Sequence, residues 1–330
     1  MTILVTGGAG YIGSHATAAL LDRGFNVVVL DDLSTGYRQA VDARATFYQG
    51  QIQDVSLLDK IFSEQTIEGV IHFAAKSLVG ESMTKPLFYY HHNVYGTQVL
   101  LERMLAHDVK TMVFSSTAAV YGEPQYTPID ESHPAAPISP YGASKLTMES
   151  MMHWADRAHD LRYIALRYFN VAGAHHSGEL GEAHNPETHL IPMVLQVPLG
   201  HRESLSLFGD DYPTPDGTCI RDYIHIDDLI EAHILALLAL KEGTPSQVIN
   251  LGTGHGASNL EILKSAEAVT NQSIAYVIAP RRLGDPAVLI ASNERARDVL
   301  GWTPKSSTLD KIISSAWKFH STHPMGYVSK

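Results

Sequence analysis

The sequence predicts an α/β fold, a doubly wound parallel sheet joined to a smaller C-terminal α/β domain. Three observations point there. Short β-branched runs alternate with longer helical patterns through the first half of the chain. The runs are continuously apolar rather than alternating, as expected of strands covered on both faces. The first run leads into a glycine-rich turn, TGGAGYIGSH, that opens a helix, which is the opening of a Rossmann-type sheet.

In order, the strand runs are TILVT (2–6), NVVVLD (26–31), ATFYQ (45–49), GVIHFA (69–74), TMVFSS (111–116) and YIALRY (163–168). Helical patterns fill the gaps at 11–23, 55–64, 86–107 and 141–158. Beyond Asn170 the texture changes. Residues 173–189 are polar and loop-like, a helix is expected at 190–197, a strand near 205–208 and a Pro/Gly/Asp-rich loop at 209–217. A helix at 227–240 and the strand QVINLG (247–252) read as a return to the first sheet. The remainder, 258–330, mixes helices with one strand near 275–278. The expected division is discontinuous. Residues 1–170, with the chain returning at about 225–252, form the nucleotide-binding domain; 171–224 and 253–330 form the smaller one.

With 45% apolar and 18% charged residues, the 330-residue chain is ordinary globular material. Lys plus Arg number 24 against 35 Asp plus Glu, a net charge of −11 with no basic run. That balance argues against nucleic-acid backbone binding, but leaves room for a phosphorylated small molecule held by a helix N-terminus or a few arginines. The single Cys219 has no internal disulfide partner, which fits a reducing compartment. MTILVTGGAG lacks the basic and long apolar regions of a secretory signal. The apolar stretch 229–240 is short and interrupted by Glu231 and His233, so it reads as a buried helix and not a membrane span. A cytoplasmic protein with no membrane partner is expected.

Gly7, Gly10 and Gly13 are spaced three apart at the first strand–helix junction. Such glycines permit a tight turn and close approach of a pyrophosphate to the helix N-terminus. The next strand ends in Asp31, 18 residues beyond Gly13, near the ~20 expected for a carboxylate on the adenosine ribose. Asp31 favours NAD over NADP, because it would repel a ribose phosphate. Tyr141 and Lys145 lie four apart in YGASK and share one helix face. Alone, such a pair is common surface decoration; behind a dinucleotide turn and a serine-rich strand end it reads as a proton-handling device.

Taken together, TGGAGYIGSH, FAAKSLVGES, FSSTAAVYG, YGASK, LRYFNVAGA, RDYIHIDDL and SLFGDDYPTPDGTCIRDYIH resemble the extended short-chain dehydrogenase/reductases. Within them the chain is similar to the UDP-glucose (UDP-galactose) 4-epimerases over nearly its whole length. The resemblance implies an NAD-dependent isomerase that oxidises and re-reduces C4 of a UDP-sugar through a 4-keto intermediate, and a homodimer. It implies Tyr141 as acid/base, Lys145 as its partner and Thr117 as the hydroxyl that bonds the sugar oxygen. A phenol with an ordinary pKa of ~10 needs a shift of about 3 units, or roughly 4 kcal/mol, to act near neutrality. The lysine and a positive nicotinamide ring are expected to supply it. Ala118 and Ala119 follow Thr117 where sugar dehydratases need an acidic pair, which disfavours dehydration.

The resemblance also implies a cofactor site of Gly7, Gly10, Tyr11, Ile12, Gly13, Asp31, Asp32, Ser34, Gln51 and Ile52. Phe73, Ala74, Ala75, Asn93, Ser115 and Tyr168 complete it with Tyr141 and Lys145. For the UDP handle it implies Asn170, His189, Leu190, Phe208, Arg221, Tyr223, Arg282 and Asp285; arginine's planar fork suits phosphate oxygens. Three departures from the family pattern stand out. Gln51 replaces an aspartate near the adenine, Ser77 takes the place of a lysine that here falls at Lys76, and Val288 is expected to gate the sugar pocket. A small gate would admit an N-acetyl group, so UDP-GlcNAc/UDP-GalNAc, uronic-acid or pentose substrates are alternatives; a non-catalytic NAD sensor is the remote one. Of eighteen histidines, His175, His176, His184 and His189 cluster in one loop whose spacing fits no helical or Cys/His ligand set. The loop reads as solvated, with His189 excepted, and no metal is expected.

Overall fold

The computed structural model describes residues 1–282 and 285–327. The first half consists of β1 (Thr2–Thr6), α1 (Tyr11–Asp22), β2 (Asn26–Asp31), β3 (Thr46–Gln49), α2 (Val55–Glu64) and β4 (Gly69–His72). It continues through α3 (Val79–Thr84), α4 (Pro86–Tyr89), α5 (Gly96–Ala106), β5 (Thr111–Thr117), α6 (Pro140–His159) and β6 (Arg162–Tyr168). Then follow β7 (Asn170–Ala172), α7 (Leu190–Leu195), β8 (Leu205–Phe208), β9 (Ile220–Arg221), β10 (Tyr223–His225) and α8 (Ile226–Lys241). The last elements are β11 (Gln247–Leu251), β12 (Ala257–Ser258), α9 (Asn259–Thr270), β13 (Tyr276–Ala279), β14 (Val288–Leu289), α10 (Glu294–Leu300) and α11 (Leu309–Thr322).

Among the described residues, seven strands pair in parallel in the order β11-β6-β5-β4-β1-β2-β3. The pleat sends alternate residues to opposite faces. Ile3 and Val5 meet Ala16 and Leu20 of α1 and Leu229 and Leu237 of α8 on one side. Leu4 and Val28 meet Leu58, Leu100 and Met148 of α2, α5 and α6 on the other. Both faces are buried, so the strands carry no polar stripe. Each of these large side chains contributes roughly 1.5–3 kcal/mol by leaving water.

The strand order reverses between β1 and β4. At such a reversal the connecting loops part, leaving a crevice at the carboxyl ends of the strands. A second core over the far side of that crevice packs Ile191 and Leu195 of α7, Leu205 and Leu207 of β8, Ile262 of α9 and Ile313 of α11.

Two elements differ from the sequence expectation. The single helix expected at 86–107 is α4, a π-helical turn over Tyr90–Tyr95, and α5, and α3 precedes it in a stretch to which the sequence reading assigned no element. The two- and three-residue strands β7, β9, β10, β12 and β14 carry no pattern of their own. They exist through partners far away in the chain, as when β9 lies between β12 and β14.

Candidate active site

The crevice holds a cavity of about 660 Å³ that runs from Asp31 and Gln51 past the glycine turn to Tyr141, and on to Phe208 and Arg282. Its floor is the turn after β1. Gly7 adopts φ +74°, and a side chain there would meet the Ala74 nitrogen at 2.7 Å. A Cβ on Gly13 would lie 2.1 Å from the Gly7 oxygen. Packing therefore demands both glycines. Gly10 is different, since a Cβ there would meet only the Gly7 oxygen, at 3.4 Å. It faces the cavity, and its missing side chain leaves room for a ligand. Asp31 closes this end. Its Oδ2 accepts from the Ala9 amide at 2.9 Å and its Oδ1 from the Leu33 amide at 2.8 Å, so the carboxylate is locked to the turn it serves.

Helix α6 presents Tyr141 and Lys145, the pair expected to handle the proton. Ser139 caps it by accepting from the Gly142 amide at 3.1 Å, and Pro140 opens its first turn. This fixes the register that turns Tyr141 and Lys145 toward the end of β5. Lys145 Nζ donates to the Ser115 carbonyl at 2.8 Å and lies 4.9 Å from the Phe114 ring centre. Thr117 ends β5 and accepts from the Ala119 amide at 3.2 Å. Tyr168, on the neighbouring β6, shares a short hydrogen bond with Ser115.

The far end is built by the second core. Arg282 stacks its guanidinium 3.9 Å from the Phe208 ring centre. Arg221 donates to the Ile220 carbonyl at 2.8 Å and pairs with Asp285. A planar cation, an aromatic face and a second arginine at one end of a cavity, with a dinucleotide turn at the other, describe a site for two nucleotides facing each other.

A family model, the NAD dependent epimerase/dehydratase family, matches residues 3–252. The chain belongs to this family. It is 56% identical over 327 residues to a UDP-glucose 4-epimerase of Lacticaseibacillus casei, covering 99% of both chains. It superimposes on a crystal structure of a UDP-glucose 4-epimerase with a TM-score of 0.98 at 52% identity, covering 100% of each. The Bifidobacterium longum UDP-glucose 4-epimerase in complex with NAD+ and UDP gives a TM-score of 0.93 at 39% identity, covering 99% of this chain and 100% of that one.

In this epimerase-family chain the cavity wall contains Tyr11, Ile12, Asp32, Ser34, Ile52, Phe73, Ala74 and Ala75 at the turn end. It also contains Asn170, His189, Leu190 and Tyr223 toward the arginines. The room beside Gly10 and the locked Asp31 fit a dinucleotide. Lys76 lines the wall too, and its Nζ donates to Ser34 Oγ at 2.7 Å.

Asn93, expected at the cofactor site, lies directly behind the wall residue Lys76. It is fully buried within the π-helical turn, not on the cavity wall. Its Oδ1 accepts from the Lys76 amide at 2.8 Å, and its Nδ2 donates to the Lys76 carbonyl and to Ser144 Oγ, both at 3.0 Å. It braces the Lys76 loop against α6. Val288 is likewise not on the wall. It sits in β14 against Ile220, and Pro286 and Leu289 face the cavity. The one-residue offset turns the neighbouring side chain inward, because successive strand residues point to opposite faces.

The electrostatics also depart from expectation. Burial raises the Tyr141 phenol above its ordinary value, and the hydrogen bond with Thr117 pulls it back only in part. Burial lowers the Lys145 ammonium to about 7, against the attraction of Glu149. The ammonium is engaged with the Ser115 carbonyl.

Sequence reading missed Glu182 and His184, which stand on the wall beside His189. The acidic residues alternating with histidines in GEAHNPETH were the available signal.

Proposed function

We infer that this protein is an NAD-dependent UDP-glucose 4-epimerase that interconverts UDP-galactose and UDP-glucose. One observation carries the reading: Tyr141, Lys145 and Thr117 open onto the same cavity as the glycine turn, midway to the Phe208–Arg282 end. Gly7, Gly10, Gly13, Asp31 and the Lys145 region would hold the cofactor. When bound, NAD would supply reversible hydride transfer at C4 of the sugar. Tyr141 takes the proton of the 4-hydroxyl and later gives it back. Thr117 orients that hydroxyl and lowers the cost of the phenolate. Ala118 and Ala119 line the sugar region; their methyl groups exchange no protons and leave space for the hexose to turn over. Arg282, stacked on Phe208, and Arg221, oriented by Asp285, hold the diphosphate end, so that the handle stays fixed while the sugar moves.

The same reading places residues 1–170 with 225–252 as the cofactor domain and 171–224 with 253–330 as the UDP-sugar domain. It takes the protein as a homodimer, supported by Met83, Leu87, Phe88, Tyr95 and Trp154, exposed apolar residues on α3, α4, the π-helical turn and α6. A cytoplasmic location is supported by the free, buried Cys219.

The test is incubation of the purified protein with UDP-galactose, with and without added NAD. UDP-glucose is the expected product. Its absence under both conditions would refute the assignment.

A further inference from the structure

The loop before α7 gathers Glu182, His184, Glu187 and His189, each offering one donor atom, with all four atoms within 4.8 Å of one another. A tetrahedral site with bonds of ~2.0–2.2 Å has neighbouring donors roughly 3.5 Å apart, so closing these four around an ion would draw the widest pairs in and part the two histidines from Glu182.

Three features go beyond proximity. The two carboxylates are buried, Glu182 at 3% exposure and the Glu187 side chain at 8%. Adjacent buried carboxylates require positive charge close by. The donors are also aimed. Both imidazoles turn Nδ1 toward the same Glu182 oxygen, His184 at 3.1 Å and His189 closer still. Glu187 is split between two tasks. Its Oε1 accepts from the Thr188 and His189 amides at 2.7 and 2.8 Å, which leaves Oε2 toward His184 at 3.7 Å. Backbone bonds that orient a ligand's far oxygen are the outer-shell support of metal sites.

We propose that Glu182, His184, Glu187 and His189 form a divalent-cation site that takes zinc. Two imidazole nitrogens with two carboxylate oxygens suit zinc, whereas magnesium and calcium favour six or more oxygens. Two carboxylates and one divalent ion leave the cluster neutral, with the carboxylates buried and His189 at its exposed edge. The site lies outside the proton-handling group. His189 directly precedes α7, beside Leu190 on the cavity wall, and His184 sits edge-on to Tyr11 of the glycine turn, with ring centres 6.5 Å apart. A bound ion would pin the loop and the start of α7 between the two ends of the cavity, in a positioning role.

The experiment strips the full-length protein with a chelator and titrates it with Co2+ alone, then with Zn2+. One equivalent of Co2+ is expected to bind with the intense visible absorption of a tetrahedral N/O site, and Zn2+ to abolish that absorption. Glu182→Gln and His184→Ala should each weaken binding at least ~10-fold, while His175→Ala with His176→Ala leaves it unchanged. No saturable equivalent, a weak octahedral spectrum, or equal binding by the Glu182 and His184 variants would overturn the site and leave an ion-pair cluster. Circular dichroism checks the fold of each variant, and where one fails, the wild-type cobalt spectrum alone decides. Conversion of UDP-galactose is read separately, so loss of the metal site does not touch the epimerase assignment.

Discussion

Tyr141 sits where burial alone would keep its proton in place. The proposed chemistry therefore depends on groups that favour the phenolate, and the Thr117 hydroxyl is one of them. Replacing Thr117 with Val should move the rise of kcat/KM with pH to higher pH, while Thr117→Ser keeps it in place. An identical profile for Thr117→Val would remove the hydroxyl from that role. Tyr141→Phe should lose on the order of 10²–10⁴ in turnover with an unchanged fold by circular dichroism; wild-type turnover in that variant would take the proton step away from Tyr141. A Gly10→Ala change, which the fold tolerates sterically, should weaken NAD binding without lowering thermal stability, as read by cofactor retention and melting. The proposed catalytic residues could be placed in the sequence because Thr117 ends a long apolar strand and Tyr141 and Lys145 lie in the first two turns of the next helix. Asn93 was placed by resemblance alone, and its bonds to Lys76 and Ser144 could not be read from sequence because they depend on the π-helical turn.

The regular elements set a pH dependence of their own. Burial lowers His15 in α1 and His72 in β4 to about 3, and His233 in α8 to about 4, from 6.5. Between those values and 6.5 the unfolded chain binds more protons than the folded one. Stability is therefore complete above 6.5 and falls as pH drops toward 3–4, by at most about 1.4 kcal/mol per pH unit for each histidine. His72 is the cleanest test. It lies between Thr6 Oγ1 at 2.7 Å and Thr97 Oγ1 at 3.0 Å, with no room for solvent. The urea midpoint of His72→Gln should fall less steeply on acidification than that of the wild type, and parallel slopes would count against this account. Elements of this kind were legible, since the long apolar strands and the helices between them repeat a clear alternation. The second core was less so. Strands such as Ile220–Arg221 are stabilised only by β12 and β14, and a two-residue strand has no periodicity to read.

At the scale of the whole molecule, the exposed Leu87 and Trp154, 82% and 63% accessible, project from α4 and α6. In the proposed homodimer, covering them would remove apolar surface that a monomer leaves in water. Leu87→Glu combined with Trp154→Glu should convert a dimer to monomers by sedimentation without altering the melting of the monomer unit; a wild-type protein that sediments as a monomer would contradict the pairing. Overall architecture was the most legible feature of the sequence, down to the return of a late strand to the sheet. That return, β11 beside β6, has a consequence for how the molecule comes into being. During synthesis the outer edge of the sheet stays open while the whole stretch from Phe169 to Ser246 emerges from the ribosome. The nascent chain must carry the unpaired backbone donors and acceptors of β6 until residue 251 arrives to cover them.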